Sequence, residues 1–250
     1  MVRHLSVALL LAVAAQGQVR LHFGVEAGVP LTNTLSASSI PLLIGNGSLQ
    51  DTYSSNTKRL LIGPTVRVDL PFGLGVEVDG LYQRINYEHY FLGNFGTGGG
   101  GVTFSHNTAD RWQFPLLIQY GPKFPLLKPF IEAGPSLSYI VNGRNVTVRS
   151  TQDIFRSSTS NSQTSDLREL RHNTAAGITV GLGVDLHPLF LHIRPEFRYV
   201  RWASAQFSAL SEHEATDIHF PAGPDLPPVH IPPSISSKRD EIDFLLGVTF

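Results

Sequence analysis

Serine, histidine and carboxylate side chains occur in this 250-residue chain in three settings where their types could do chemistry. Ser105 and His106, within FSHNT, are of the types that serve as nucleophile and base in serine hydrolases. Adjacent residues do not make a nucleophile–base pair of good geometry, and no acid partner is evident beside them, so a lipid-modifying hydrolase is carried only as a competing class. SEHEATDIH offers Glu212, His213, Glu214, Asp217 and His219 as nitrogen and oxygen ligands for a divalent metal. These lie in a long polar connection without helical spacing, where a solvated loop is the plainer reading. The third setting is a set of charges at alternate positions of apolar segments: Glu26, Arg59, Arg67, Glu77, Asp79, Glu132, Asp185, Arg194, Glu196, Arg198 and Asp243, with His22 and His192 beside them. Both signs recur, so the set reads as side chains that pair with one another inside a narrow enclosure rather than as an ion or proton pathway. GTGGGG at 96–101 lacks the lysine of a phosphate loop and reads as a loop tip. No catalytic residue, cofactor or metal ligand is assigned, and the chain is read as not an enzyme.

The elements that must position these charges are strands. In VRLHFGVEAGVP, Leu21, Phe23, Val25, Ala27 and Val29 alternate with Arg20, His22, Gly24, Glu26 and Gly28, a two-residue period over a full membrane crossing. The same alternation recurs over Lys58–Leu70, Leu74 to about Tyr87, Arg111–Tyr120, Lys128–Val141, Asn173–Leu186, Phe190–Trp202 and the closing Asp240–Phe250. Beyond Gly80 the third segment places Leu81 and Ile85 on its polar side, which predicts a bulge or the membrane rim there. Connections alternate in length. Leu31–Thr57, residues 88–110, Asn142–His172 and Ala203–Lys238 are long, whereas the turns at Pro71–Gly73, Gly121–Leu127 and His187–Pro188 are short. An even strand count with every long connection at one end predicts an all-β, eight-stranded antiparallel transmembrane barrel with short periplasmic turns and four long extracellular loops. Trp112, Tyr120, Tyr139, Tyr199, Trp202 and Phe250 near strand ends are expected to form aromatic girdles. Pro64, Pro115, Pro135 and Pro195 inside strands resist this, because a closed barrel has no free edge for a missing donor.

Composition agrees with that class. A net charge of −1 gives no basic surplus for nucleic acid, and a mean hydropathy of +0.02 excludes a helical membrane bundle while suiting alternating strands. The absence of cysteine excludes disulfides, thiolate metal sites and cysteine nucleophiles together. MVRHLSVALLLAVAAQGQ has a basic start, an apolar run too short to span a bilayer, and small residues suited to a signal peptidase. Residues 1–17 are expected to be a signal peptide cut after Gly17, with a cut after Ala14 as the alternative, which leaves 18–250 as the barrel domain.

WQFPLLIQYGPKFP, KPFIEAGPSLSYI, LHIRPEFRYVRW and the ending DEIDFLLGVTF resemble the small bacterial outer-membrane β-barrels called OmpA-like, porin-like or PorT-like barrel domains. The resemblance spans the mature chain, and Pro115 matches a proline common in that family. It implies a place in the outer membrane in contact with its lipid, and a terminal Phe250 read by the outer-membrane assembly machinery. It also implies a structural or surface-interaction role through long extracellular loops, with a narrow porin-like channel as the alternative. Two-domain members carry a wall-binding module after the barrel; this sequence stops at the eighth strand, so wall anchoring is not expected.

Overall fold

The computed structural model describes residues 19–250 apart from 45–46, 58, 95–98, 123–126, 153–156, 166, 168, 187–190 and 208–234. Among the described residues twelve strands form one sheet: β1 (Arg20–Pro30), β2 (Ser38–Ile44), β3 (Gly47–Ser55), β4 (Leu61–Asp69), β5 (Leu74–Asp79), β6 (Leu81–Asn94), β7 (Gly100–Tyr120), β8 (Leu127–Gln152), β9 (Ser157–Thr164), β10 (Thr174–Leu186), β11 (His192–Trp202) and β12 (Asp240–Thr249). Every pairing is antiparallel, and β5 and β6 follow one another as a single wall strand, so the pairings β1–β4–β5/β6–β7–β8–β10–β11–β12–β1 close an eight-membered ring. The eight expected strands are these eight. Outside the ring, β2 and β3 extend the sheet beyond β6, and β9 extends it beyond β8.

The two-residue period decides which side chain faces where. Phe23, Val25, Ile118, Ile131, Leu137, Ile178, Leu182 and Phe197 are all exposed on the outer wall, an apolar belt that lipid satisfies and water would not. Their odd–even partners point inward and are buried. At Gly80 the ladder breaks but the parity does not: Glu77, Asp79, Leu81, Gln83, Ile85 and Tyr87 are all buried on the inner side. The expected bulge there is therefore absent. What changes along the strand is the company of its inner face, from carboxylates to an apolar cluster. A bulge does occur higher up, where the β7–β8 register shifts between Thr108 and Asp110, with Asn142 in the left-handed region at φ 53.

The four prolines need no bulge. Each pairs on one side, as Val25↔Pro64, Pro115↔Ser136, Ile178↔Pro135 and Pro195↔Leu246. On its other side each falls in a two-residue gap beyond which the register resumes unchanged. A strand residue directs its N–H to one neighbour only, so a proline leaves one flank intact and empties one rung on the other.

Candidate functional site

The lumen is filled by charge. Arg198 on β11 stands at its centre: Nε donates to Glu132 at 2.8 Å, Nη1 to Asp79 at 2.7 Å, and Nη2 to Glu77 at 2.8 Å and Glu26 at 3.3 Å. Arg194 pairs with Glu77 and lies 4.4 Å over the ring of Phe130, while Gln119 donates to Glu77 and Glu132 at 2.9 and 2.8 Å. One level toward the extracellular side, Arg111 grips Glu241 through two bonds of 2.8 and 3.1 Å and lies 5.1 Å over Trp202. Toward the periplasm, Arg67 meets Asp69 and Asp185 at 3.2 Å each, and the His22 and His192 rings stand edge to face at 4.8 Å. Five strands of the ring, β1, β5, β7, β8 and β11, contribute to the central cluster, so it ties together residues up to 172 positions apart.

Room for these long side chains comes from β10, whose inner face carries small residues. A Cβ on Gly181 would stand 2.5 Å from the Glu132 carboxylate, and one on Gly183 would stand 2.5 Å from the Phe130 ring. Small on one wall and large on the facing wall is how an eight-stranded interior becomes full. A cavity of about 50 Å³ at the periplasmic end, between Arg67, Gln119, Lys128 and Asp185, has room for about one or two waters.

The extracellular mouth is closed differently. Ile85, Tyr87, Ala109 and Ile140 from the wall strands and Tyr53 from β3 pack with Leu35, Leu167, Phe207 and Ile235 from the connections into a buried apolar cluster. Backbone bonds pin the incoming segments to each other, Ser36 to Ser236, Ser237 to Phe207 and Lys238 to Thr34, at 2.9 Å each. Tyr87 donates from within this cap to Glu169 at 2.7 Å. Burial, and after it the adjacent Glu169 carboxylate, pushes the Tyr87 phenol well above its usual range, so it stays a donor.

Of the charges expected inside, all but one are buried there. Arg59 is the exception: it precedes β4, is exposed, and donates to Asn33 at 3.1 Å. Arg111 and Glu241 belong to the lumen set although they were not named with it; both follow from the parity of their strands. Trp202, expected in a girdle, faces inward at 3% exposure, three residues from the outward Tyr199 and therefore of opposite parity. Trp112, Tyr120, Tyr139, Tyr199 and Phe250 face outward as expected.

Ser105 and His106 are not a catalytic pair. Successive strand residues face opposite sides: Ser105 is buried and bonded to Thr147 at 2.7 Å, while the partly exposed His106 lies 3.7 Å from Glu88 on the other face. Histidine does meet a carboxylate where no motif announced it, at His89 and Asp51 (2.6 Å), with the imidazole stacked on Tyr53 at 4.2 Å. Glu212, His213, Glu214, Asp217 and His219 lie outside the described residues, as do residues 96–98 of GTGGGG. Two carboxylate trios, Glu26–Glu77–Asp79 and Glu77–Glu132–Glu196, hold oxygens within 4.8 Å of one another. Arg198 donates into both trios, so the cation these carboxylates surround is a guanidinium.

A ring of eight strands, an apolar outer belt and a charged interior place the chain in a lipid bilayer as a barrel. The sequence pattern of the outer membrane protein beta-barrel domain family matches residues 14–201. The chain belongs to that family. It is accordingly a bacterial outer-membrane β-barrel, with the long connections and the extensions of β6–β8 on the extracellular side. No curated protein sequence matches it significantly. Among solved structures it is similar to the outer membrane protein OprG of Pseudomonas aeruginosa, at 13% identity and a TM-score of 0.46, covering 92% of this chain and 93% of that one. It is also similar to Ail, the attachment invasion locus protein of Yersinia pestis, in complex with the heparin analogue sucrose octasulfate (8% identity, TM-score 0.36, covering 92% and 97%). Neisserial surface protein A matches at 11% identity and a TM-score of 0.33, covering 92% and 96%.

Proposed function

We propose that this barrel is a non-conducting anchor that presents its extracellular sheet for interaction at the cell surface. The observation that carries the reading is the double closure of the lumen. Four arginines with at most 2% exposure lock the interior, and an apolar cap seals the mouth above them. Opening a path would break charge pairs in a low-dielectric enclosure, at about 3–5 kcal/mol for each partner stranded. The barrel wall thus acts as a rigid support, and β6, β7 and β8 run 14, 21 and 26 residues, well past the roughly ten that cross a bilayer. Binding resides disproportionately on what such a scaffold holds out into solvent.

Two further expectations belong to this reading: residues 1–17 are removed on export, and Phe250 guides assembly. Mass spectrometry of the mature amino terminus checks the first. Phe250→Asp, with the outer-membrane fraction assayed for folded barrel, checks the second. Neither the Ser105–His106 geometry nor the guanidinium-filled carboxylate trios support hydrolysis or metal catalysis, and the role is binding. Purified protein in planar bilayers is expected to show no steady conductance; a large, stable, voltage-independent pore overturns the closed-lumen reading.

A further inference from the structure

The extracellular rim of the barrel carries its cations unevenly. On one side of the ring Arg59, Arg201, Lys238 and Arg239 are all exposed, and hydrogen bonds tie the segments that carry them into one strip. Arg59, which leads into β4, donates to Asn33 at 3.1 Å. The next residue, Thr34, accepts from the Lys238 backbone at 2.9 Å, and the Arg239 carbonyl accepts from the Trp202 backbone at 2.8 Å. Arg201, beside Trp202, donates to Asp240 at 3.1 Å. Among the described residues Asp240 is the exposed carboxylate of this strip, and Tyr199 also donates to it, at 2.5 Å. Four cations against one acid leave the strip positive. On β6, toward the far wall, the exposed Arg84 is instead matched by Asp110, which also accepts from Tyr82 and Asn142.

The height of the strip decides what it meets. Leu31, Leu60, Tyr199 and Ile242 are exposed at the top of the apolar belt on this side. Arg59 adjoins Leu60, Arg201 is two residues beyond Tyr199, and Arg239 is three before Ile242. At about 3.3 Å per residue the charges stand within about 10 Å of the hydrocarbon edge, the depth of a headgroup layer. We propose that this strip is a docking site for a phosphate-bearing lipid of the outer leaflet, whose headgroup phosphates it holds beside the wall formed by β4, β1, β12 and β11. Arginine forks match phosphate oxygens in pairs, and Lys238 adds a point charge. The acyl chains of the same lipid lie against the apolar belt directly below. A soluble polyanion gains the charge contacts but nothing from that belt, so a lipid is the partner that uses both. β1 and β12 stand across the eight-membered ring from β8 and β7, so the strip is separate from the sheet that projects into solvent and goes beyond the anchor reading above.

The test uses the full-length mature protein in neutral detergent, titrated with diphosphoryl lipid A and followed by native mass spectrometry of the retained adducts. Monophosphoryl lipid A and phosphatidylcholine are the comparison lipids. The expected result is saturable retention, strongest for the diphosphoryl form and weakest for phosphatidylcholine. Each Lys or Arg near a charged lipid surface is worth about fivefold in affinity, so Lys238→Gln with Arg239→Gln is expected to bind about 25-fold more weakly and Arg59→Gln about fivefold more weakly. Lys238→Arg keeps the charge and is expected to bind as the wild type does. All these side chains are exposed, so the heat-modifiable mobility of the folded barrel is expected unchanged; if the double variant loses it, Arg59→Gln on its separate segment decides. Arg144→Gln with Arg149→Gln, at exposed positions of β8, is the control and is expected to leave affinity unchanged. Wild-type affinity in the strip variants, or an equal loss in the β8 control, overturns the proposal. Displacement of the lipid by millimolar inorganic phosphate overturns it as well, because the strip would then read free phosphate. Steady conductance sinks the anchor reading alone and leaves the strip standing.

Discussion

The lumen and the extracellular sheet are built from the same strands and held by opposite means. Inside the barrel the backbone ladder is closed on itself, and the deciding interactions are between side chains, with Arg198 touching four carboxylates from three other strands. Outside the membrane the ladder continues along β6–β9, but the side chains of β9 are solvated on both faces and meet β8 through exposed contacts, hydroxyl pairs such as Thr151–Ser158 and the Arg144–Gln163 bond. Buried charge is expensive to disrupt and exposed polarity is cheap to change. A wall locked this way tolerates variation at the tip while keeping the tip's position.

The largest expected effect breaks the lumen. Arg198→Met strands Glu26, Asp79 and Glu132 beside one another and is expected to cost about 3–5 kcal/mol, read as a lowered urea midpoint for the folded, fast-migrating form in detergent. Among the described residues eight carboxylates and four guanidiniums are buried on the inner walls, so removing an acid is expected to be milder than removing a base; Glu26→Gln destabilising as strongly as Arg198→Met contradicts that asymmetry. Next comes crowding. Gly181→Leu forces a side chain against the Glu132 carboxylate, and overpacking of this kind costs about 1–3 kcal/mol, checked by the same midpoint. In the cap, Tyr87→Phe leaves the buried Glu169 without its phenol donor, at about 1–3 kcal/mol. The loss is expected as faster protease cleavage of the extracellular connections rather than as barrel unfolding, because no ring strand depends on that bond. The smallest effect is at the tip: Thr159→Ala is expected to move the midpoint by less than about 0.5 kcal/mol. A tip variant as damaging as the lumen variants would erase the contrast between the two regions.

The cap also sets a boundary for engineering the last connection. Ile235 is buried at 1% against Leu35 and Phe207, so a Gly-Ser replacement of the preceding residues has to stop at 233 to leave the mouth closed. Replacement of 209–233 is expected to preserve the folded barrel, measured by its heat-modifiable mobility on gels.

The ring was legible in the sequence because lipid outside and a crowded lumen inside impose one physical rule at every second residue. Parity alone places Glu26, Glu77, Asp79, Glu132, Glu196 and Arg198 on one wall, and applied without exception it also places Arg111, Glu241 and Trp202 there. Where the rule lapses, the sequence is silent. Above the membrane both faces of a strand meet polar surroundings, so β2, β3, β9 and the upper parts of β7 and β8 show no alternation and read as loops; their strand form is decided by the neighbouring strand that pairs with them. The apolar cap is likewise invisible along the chain, since Leu35, Tyr87, Leu167, Phe207 and Ile235 come from four separate segments. What the sequence by itself determined is the period, hence the barrel, its inner and outer faces and its place in the membrane. Only the tertiary structure decided which charges meet and that the mouth is shut. Those depend on contacts between residues far apart in the chain, which no local pattern encodes.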